Sequence, residues 1–250
     1  MSSGAPLMSG TRGPVVLILG SGPNALTAPS WPKGWFDRTV VINNAWRIRA
    51  DWDDHVFPED FPMSRRPPAI RPGQRRIEAD DFVPAQNLHG GFIHAGATMA
   101  FTAAYWALVS LRPSVMAFMG CDMVYPDGEQ THFYGMGRAD PLRKDVSLRD
   151  LGAKSARLGV IAGAAGCHCL NLSEGESRLL FPRARPMDLS AGRSEPGVDR
   201  AELADLQSSE AALGYETPNG RYDTRPEAYD LPALDAIDAA WRRLYAGFVT

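Results

Sequence analysis

Residues 114–138 read SVMAFMGCDMVYPDGEQTHFYGMGR. The run Val115 to Met119 holds no charge and no proline, and Gly120 closes it. A short, wholly apolar run of this kind predicts a strand buried on both faces of a parallel sheet. Polar residues follow at once: Asp122, Tyr125, Asp127, Glu129, His132 and Tyr134, spaced by Pro126, Gly128 and Gly135. In open α/β sheets ligands bind outside the carboxyl ends of the strands, so this loop is the first candidate wall of a site.

Other segments repeat the pattern on either side. Val15 to Leu19 is a second buried strand and runs straight into Gly20-Ser21-Gly22-Pro23-Asn24. A Gly-x-Gly turn there either brings backbone amides close to a phosphate or ribose, or is a plain tight turn. The third glycine of a dinucleotide fingerprint is absent, and Pro23 has no amide hydrogen. Thr39 to Ile42 is another strand, ending in Asn43-Asn44, whose amides either read a sugar or base edge or cap an Asx-turn. A further short strand is expected around His55–Phe57.

Gly96 is expected to open an almost wholly apolar helix that runs to about Arg112 and stops at Pro113. Its start near His94–Gly96 would offer free amides to an anion. Ser147 with Asp150 suggests a capping box for a further helix, with Lys154 and Arg157 facing outward, and Cys167 to Leu172 is the last strand. Strands alternating with helices predict a Rossmann-like, doubly wound α/β fold with a mostly parallel sheet over 14–186.

Residues 1–13 are rich in Gly, Ser and Pro and are expected to be loose. From Asp188 to Asp238 twelve acidic residues stand against four basic ones, which marks 187–250 as an acidic helical extension. Asp199 and Asp230 are its two helix caps, and Gly214 closes the first helix. Leu234, Ile237, Trp241, Leu244 and Phe248 make an apolar face on the second. That face must pack on the α/β layer, on the other helix, or on a second copy of the chain as a homo-oligomer contact. Tyr215 to Tyr229 between the helices reads as a flap.

With 250 residues, 44% hydrophobic and 22% charged, the composition is that of an ordinary globular protein, and the net charge of −3 decides little by itself. Arg65, Arg66, Arg71, Arg75 and Arg76 form a proline-studded basic loop, read as solvated or anion-binding. No aromatic residue is interleaved with them, so no nucleic-acid partner is expected. Three cysteines, no signal-peptide pattern and no apolar run of spanning length predict a cytoplasmic protein without a transmembrane segment. Cys167-His168-Cys169 lacks a second ligand pair and reads as packing, so no metal site is expected.

Taken in order, VVLILGSGPNA, TVVINNAW, FIHAGATMAF and MGCDMVYPDGEQTHFYG resemble bacterial family-42 sialyltransferases and a broader group similar to 6-hydroxymethylpterin diphosphokinases. The resemblance spans roughly Val15 to Pro182. It implies metal-independent, inverting transfer of a sugar from a CMP-type nucleotide-sugar donor to a glycan or other hydroxyl acceptor. Under it, Gly20, Ser21, Gly22, Asn24, Asn44, His94, Gly96 and Asp122 line the substrate site. Tyr125, with Tyr134, stands toward the leaving phosphate, and His132 is the general base. A histidine, with an unperturbed pKa of about 6.5, is suited to that task at neutral pH. Two features depart from the family: His94-Ala95-Gly96 replaces Thr-Ser-Gly, and only six residues separate Tyr125 from His132. The alternatives are an Mg²⁺- and ATP-dependent diphosphotransferase with Asp122, Asp127 or Glu129 on the metal, and a non-catalytic nucleotide-binding or scaffolding protein.

Overall fold

Six short strands share one all-parallel sheet in a computed structural model that describes residues 13–125, 130–135, 144–189, 197–222 and 228–248. They are β1 (Val15–Leu19), β2 (Arg38–Ile42), β3 (Asp54–Val56), β4 (Arg75–Ile77), β5 (Val115–Met119) and β6 (His168–Asn171). Their order is β4-β3-β2-β1-β5-β6. Leu17 of β1 stands in register with Thr39 on one side and Ala117 on the other. The order reverses between β1 and β5, and the chain is a Rossmann-like, doubly wound α/β fold. The expected loose segment 1–13 lies, apart from Gly13, outside the described residues.

Both faces of the central strands are sealed, as their unbroken apolar runs require. Val16, Ile18, Met116 and Phe118 point into the larger core. That core is covered by α1 (Ala79–Asn87), α2 (Gly91–Ala95), α3 (Met99–Leu111) and α4 (Leu151–Ala164). Leu17, Leu19, Val115 and Ala117 point into the smaller core, where Ala25 and Ala28 of a 3-10 segment (Pro23–Ser30) meet Phe36 and Trp52. Every residue of α3 from Ala100 to Leu108 is buried, as its sequence predicts.

The helix expected from Gly96 is in fact two. Gly96 has φ +84, and a Cβ there would lie 2.9 Å from the Phe101 ring, so the chain must leave the helical path at this residue. Thr98 restarts it by accepting a hydrogen bond from Phe101 N at 3.3 Å. His94 thus lies in the last turn of α2 and does not begin α3. A second correction concerns α4, which is capped by Asp150 through Ala153 N at 2.9 Å, while Ser147 sits in a separate 3-10 turn capped by Asp145. Arg75 and Arg76, expected in the basic loop, form the edge strand β4, where Arg75 pairs with buried Asp54 at 2.8 Å.

The largest correction is on α4. Lys154 and Arg157 do not face solvent; each is 1% exposed. They lie beneath α5 (Arg200–Leu213) and α6 (Leu231–Phe248). Arg157 holds Glu210 through Nε at 2.7 Å and Nη2 at 2.6 Å, and its Nη1 donates to the Tyr105 hydroxyl at 2.7 Å. Trp241 Nε1 donates to the same Glu210 carboxylate at 2.7 Å. Lys154 Nζ reaches Asp238 at 2.8 Å. Burial pushes the Glu210 carboxyl up, but the Arg157 guanidinium outweighs it and holds the group below its ordinary value. Burial raises Asp238, and Lys154 only partly offsets it.

The caps of the extension stand where expected: Asp199 accepts from Ala201 N and Glu202 N, and Asp230 from Ala233 N. Leu234, Ile237, Trp241 and Leu244 are buried in the same core as α4 and α5. The face that left a second copy of the chain as one option is therefore covered within the chain. Tyr222, expected in a flap, is buried against the Phe92 ring with centroids 5.6 Å apart. Tyr215 stacks on His94 at 5.9 Å and meets Tyr229 edge-on at 4.9 Å. These three tyrosines are a packed seam. Residues 223–227 lie outside the described residues. No helix among the described residues is long and apolar enough to cross a membrane.

Candidate functional site

A cleft of about 610 Å³ opens at the carboxyl ends of β1, β2 and β5, beside the point where the strand order reverses. Gly20, Ser21, Gly22 and Asn24 of the first turn line it, with Asn44 after β2 and Asp122 after β5. Tyr125, His132 and Tyr134 complete this set at the rim. Nine of the eleven residues expected at a site meet in one place, Gly20, Ser21, Gly22, Asn24, Asn44, Asp122, Tyr125, His132 and Tyr134.

His94 and Gly96 do not. His94 is 2% exposed, with Nδ1 3.7 Å from Glu210, and belongs to the seam under the extension. Burial lowers its pKa to about 4 despite the neighbouring Glu210 carboxylate. Gly96 gives its carbonyl to Gln86 Nε2 at 2.9 Å. The break after α2 explains the displacement: Thr98, Met99 and Ala100, one turn further on, take the place at the cleft that was expected of them.

The glycines of the first turn serve a contact between two strand ends. Gly20 N donates to Met119 O at 2.8 Å and Gly22 N to Gly120 O at 2.9 Å. A Cβ on Gly20 would stand 2.3 Å from Gly120 O, so no side chain fits there. Two amides of this turn are thus committed to the end of β5.

Asn24 is locked in one orientation. Its Nδ2 donates to Asp122 Oδ2 at 2.8 Å and to Ser173 Oγ at 2.9 Å. The Ser173 hydroxyl also donates to Asp122 Oδ2 at 2.7 Å. Ser173 is in turn held by its own amide on Asn171 Oδ1 at 2.9 Å. Across the cleft, Asn43 adopts φ +51, a left-handed conformation that Asn tolerates better than most residues. Its carbonyl accepts from His55 Nε2 at 2.7 Å. Burial lowers the His55 pKa to about 4, so the ring is neutral at pH 7 and its one proton is on this bond. Met123, another cleft residue, has φ +54, which is strained for a long side chain.

Polar oxygens without partners gather on this floor. Ser21 Oγ, Asn24 Oδ1, Asn43 Oδ1 and Asn44 Oδ1 are all buried and accept no hydrogen bond. A buried, unmet polar atom costs about 1–3 kcal/mol, so the three amide oxygens demand donors and the Ser21 hydroxyl a partner of either kind.

At the rim, His132 N donates to Gly135 O at 3.1 Å and Gly135 N returns to His132 O at 3.0 Å, a tight two-residue turn. Phe133 N donates to Ser21 O at 2.9 Å and hangs this turn on the β1 loop. His132 Nδ1 lies 2.9 Å from Thr131 Oγ1. The ring of Tyr134 stacks on His132 at 5.0 Å, and that of Tyr125 lies 6.0 Å away.

Of the carboxylates considered for a metal, Asp127 and Glu129 lie outside the described residues, and Asp122 Oδ2 already accepts two hydrogen bonds. Cys167 and Cys169 are free thiols packed in the larger core. Thr98, His55 and Ser173 were missed from sequence, whereas Arg65 was read only as part of a solvated or anion-binding loop. Thr98, three residues before Phe101, carries a readable cap signal; Ser173, 51 residues from its partner Asp122, carries none. No protein-family model matches this chain, and neither a curated protein nor a solved structure is significantly similar to it.

Proposed function

We propose that the protein transfers a sugar from a nucleotide donor to an acceptor hydroxyl at this cleft, with inversion and without a metal, as its resemblance to the sialyltransferases implies. One observation carries the reading. The His132 imidazole, flanked by the Tyr125 and Tyr134 rings, is tied through Phe133 to the β1 turn and overlooks the cleft. A base at the rim can take the proton of an entering hydroxyl while the nucleotide leaves from the cleft below. General-base assistance of this kind is worth roughly 10²–10⁴-fold in rate. The two tyrosine hydroxyls supply hydrogen bonds to charge developing on the leaving phosphate.

Calorimetric titration with CMP, CDP, UDP and ATP, each with and without Mg²⁺, tests the class of ligand. Metal-independent binding of CMP or CDP is expected; a response only to ATP with Mg²⁺ would instead assign a diphosphotransferase, and no response to any would leave a scaffold. His132→Ala is expected to keep nucleotide affinity within about twofold while lowering transfer at least about 10²-fold. Turnover that survives this change would remove His132 from the mechanism.

A further inference from the structure

We propose that the floor of this cleft reads hydroxyl groups and not phosphate, so that the site selects a ribonucleotide over its 2′-deoxy counterpart and places the phosphate on Arg65 and the first amides of α3. The inference rests on the nucleotide reading above and deepens it.

The polarity of the floor follows from Asn24. Both hydrogens of its amide go to Asp122 and Ser173. Turning the amide over would set its carbonyl oxygen against the Asp122 carboxylate, so Asn24 can present only an acceptor. Asn43 and Asn44 add amide oxygens that are likewise unmet, and Ser21 adds a hydroxyl that can accept or donate. Asp122 lines the same surface. A phosphate placed against Asn24 Oδ1 and Asp122 would meet an acceptor and a carboxylate, which repel it. A vicinal diol would meet partners for both its hydroxyls. The end of the second strand is also where open α/β sheets commonly hold a ribose hydroxyl, and Asn43-Asn44 stand there.

Groups able to hold an anion come from other elements of the cleft. Arg65, Thr98, Met99 and Ala100 all line it. Thr98 satisfies Phe101 N with its side chain, leaving the earlier amides of this 13-residue helix at the cleft. Asn44, 3% exposed with its Oδ1 unmet and also lining the cleft, is an independent sign of a ligand whose hydroxyls lie beside that anion. Among the basic residues of the loop, Arg66 binds Phe61 O at 3.0 Å, Arg71 binds Ala50 O at 3.3 Å, and Arg75 pairs with Asp54. The Arg65 guanidinium is exposed and makes no ion pair among the described residues.

The test is calorimetric titration of the full chain with the four ribonucleoside 5′-monophosphates, their 2′-deoxy forms and the uncharged ribonucleosides. The best ribonucleotide is expected to bind at least about tenfold tighter than its deoxy form. Arg65→Ala is expected to weaken the nucleotide about tenfold while leaving the nucleoside unchanged. Asp122→Asn frees the Asn24 amide to turn over and should weaken nucleoside and nucleotide by the same factor. Equal binding of ribo and deoxy forms would overturn this inference while the nucleotide reading stands. An Arg65→Ala variant that weakens nucleoside and nucleotide equally would remove Arg65 from the phosphate. Binding of no nucleotide or nucleoside by the wild-type chain would overturn both the inference and the reading beneath it.

Discussion

Asn24 gives away both hydrogens of its amide, and the identity of its neighbour makes this a test of charge. Asn24→Asp sets two carboxylates at the 2.8 Å separation that the amide now spans to Asp122. Like charges that close cannot both ionise, so one of the pair must carry a proton and its pKa rises. A carboxyl with a raised folded-state pKa favours the folded state at low pH, and that advantage is lost as pH rises. The variant is therefore expected to be less stable than wild type by about 1–3 kcal/mol at pH 7 and to recover part of this by pH 5, read by urea unfolding at both values. The site at this scale was half legible. A glycine turn and two strand-end asparagines declare themselves by type and position, whereas Ser173 and His55 act through partners 51 and 12 residues away that no local pattern links to them.

At the level of elements, the buried strands were readable because a strand closed on both faces has no polar residue to confuse its pattern. Helix α4 misled for the opposite reason. Lys154 and Arg157 look like a solvent face until their partners, 84 and 53 residues later, are in place. The α2–α3 break escaped because an apolar run on both sides of Gly96 hides a change of direction. The junction between α4 and α5 makes a strong prediction. Glu210→Gln leaves the Arg157 guanidinium buried without a countercharge, and breaking one partner of a buried pair costs roughly 3–5 kcal/mol. Denaturant unfolding should show that loss, whereas the equivalent change at the exposed pair, Asp235→Asn opposite Arg149, should cost less than about 1 kcal/mol.

For the molecule as a whole, three histidines set the response to acid. Burial lowers the pKa of His55, His89 and His94 from 6.5 to about 4. Each binds its proton more readily in the unfolded chain. Their contribution to stability is then complete above about pH 6.5 and is lost as pH falls toward 4, on the order of 1–3 kcal/mol for each. Asp51, Asp150 and Glu210, held below their ordinary values, add a further loss at lower pH. Urea midpoints measured from pH 7.5 to 4.5 should fall throughout the lower half of that range. His94, which faces Glu210, Arg157 and Lys154, offers the control, since His94→Gln should flatten the slope.

The pairing of Arg157 with Glu210 also orders events during synthesis. The two are 53 residues apart in the chain. At a translation rate of roughly 5–20 residues per second, Arg157 is made roughly 3–10 s before its carboxylate exists. Lys154 waits longer, because Asp238 follows it by 84 residues. A nascent chain that closed α4 against the sheet early would be trapping two unpaired cations. The sheet half can gather as it emerges, but its helical flank stays hydrated until α5 and α6 have been made. A chain truncated before Glu210 is therefore expected to unfold at lower urea than the full one, because Arg157 and Lys154 are left without their carboxylates.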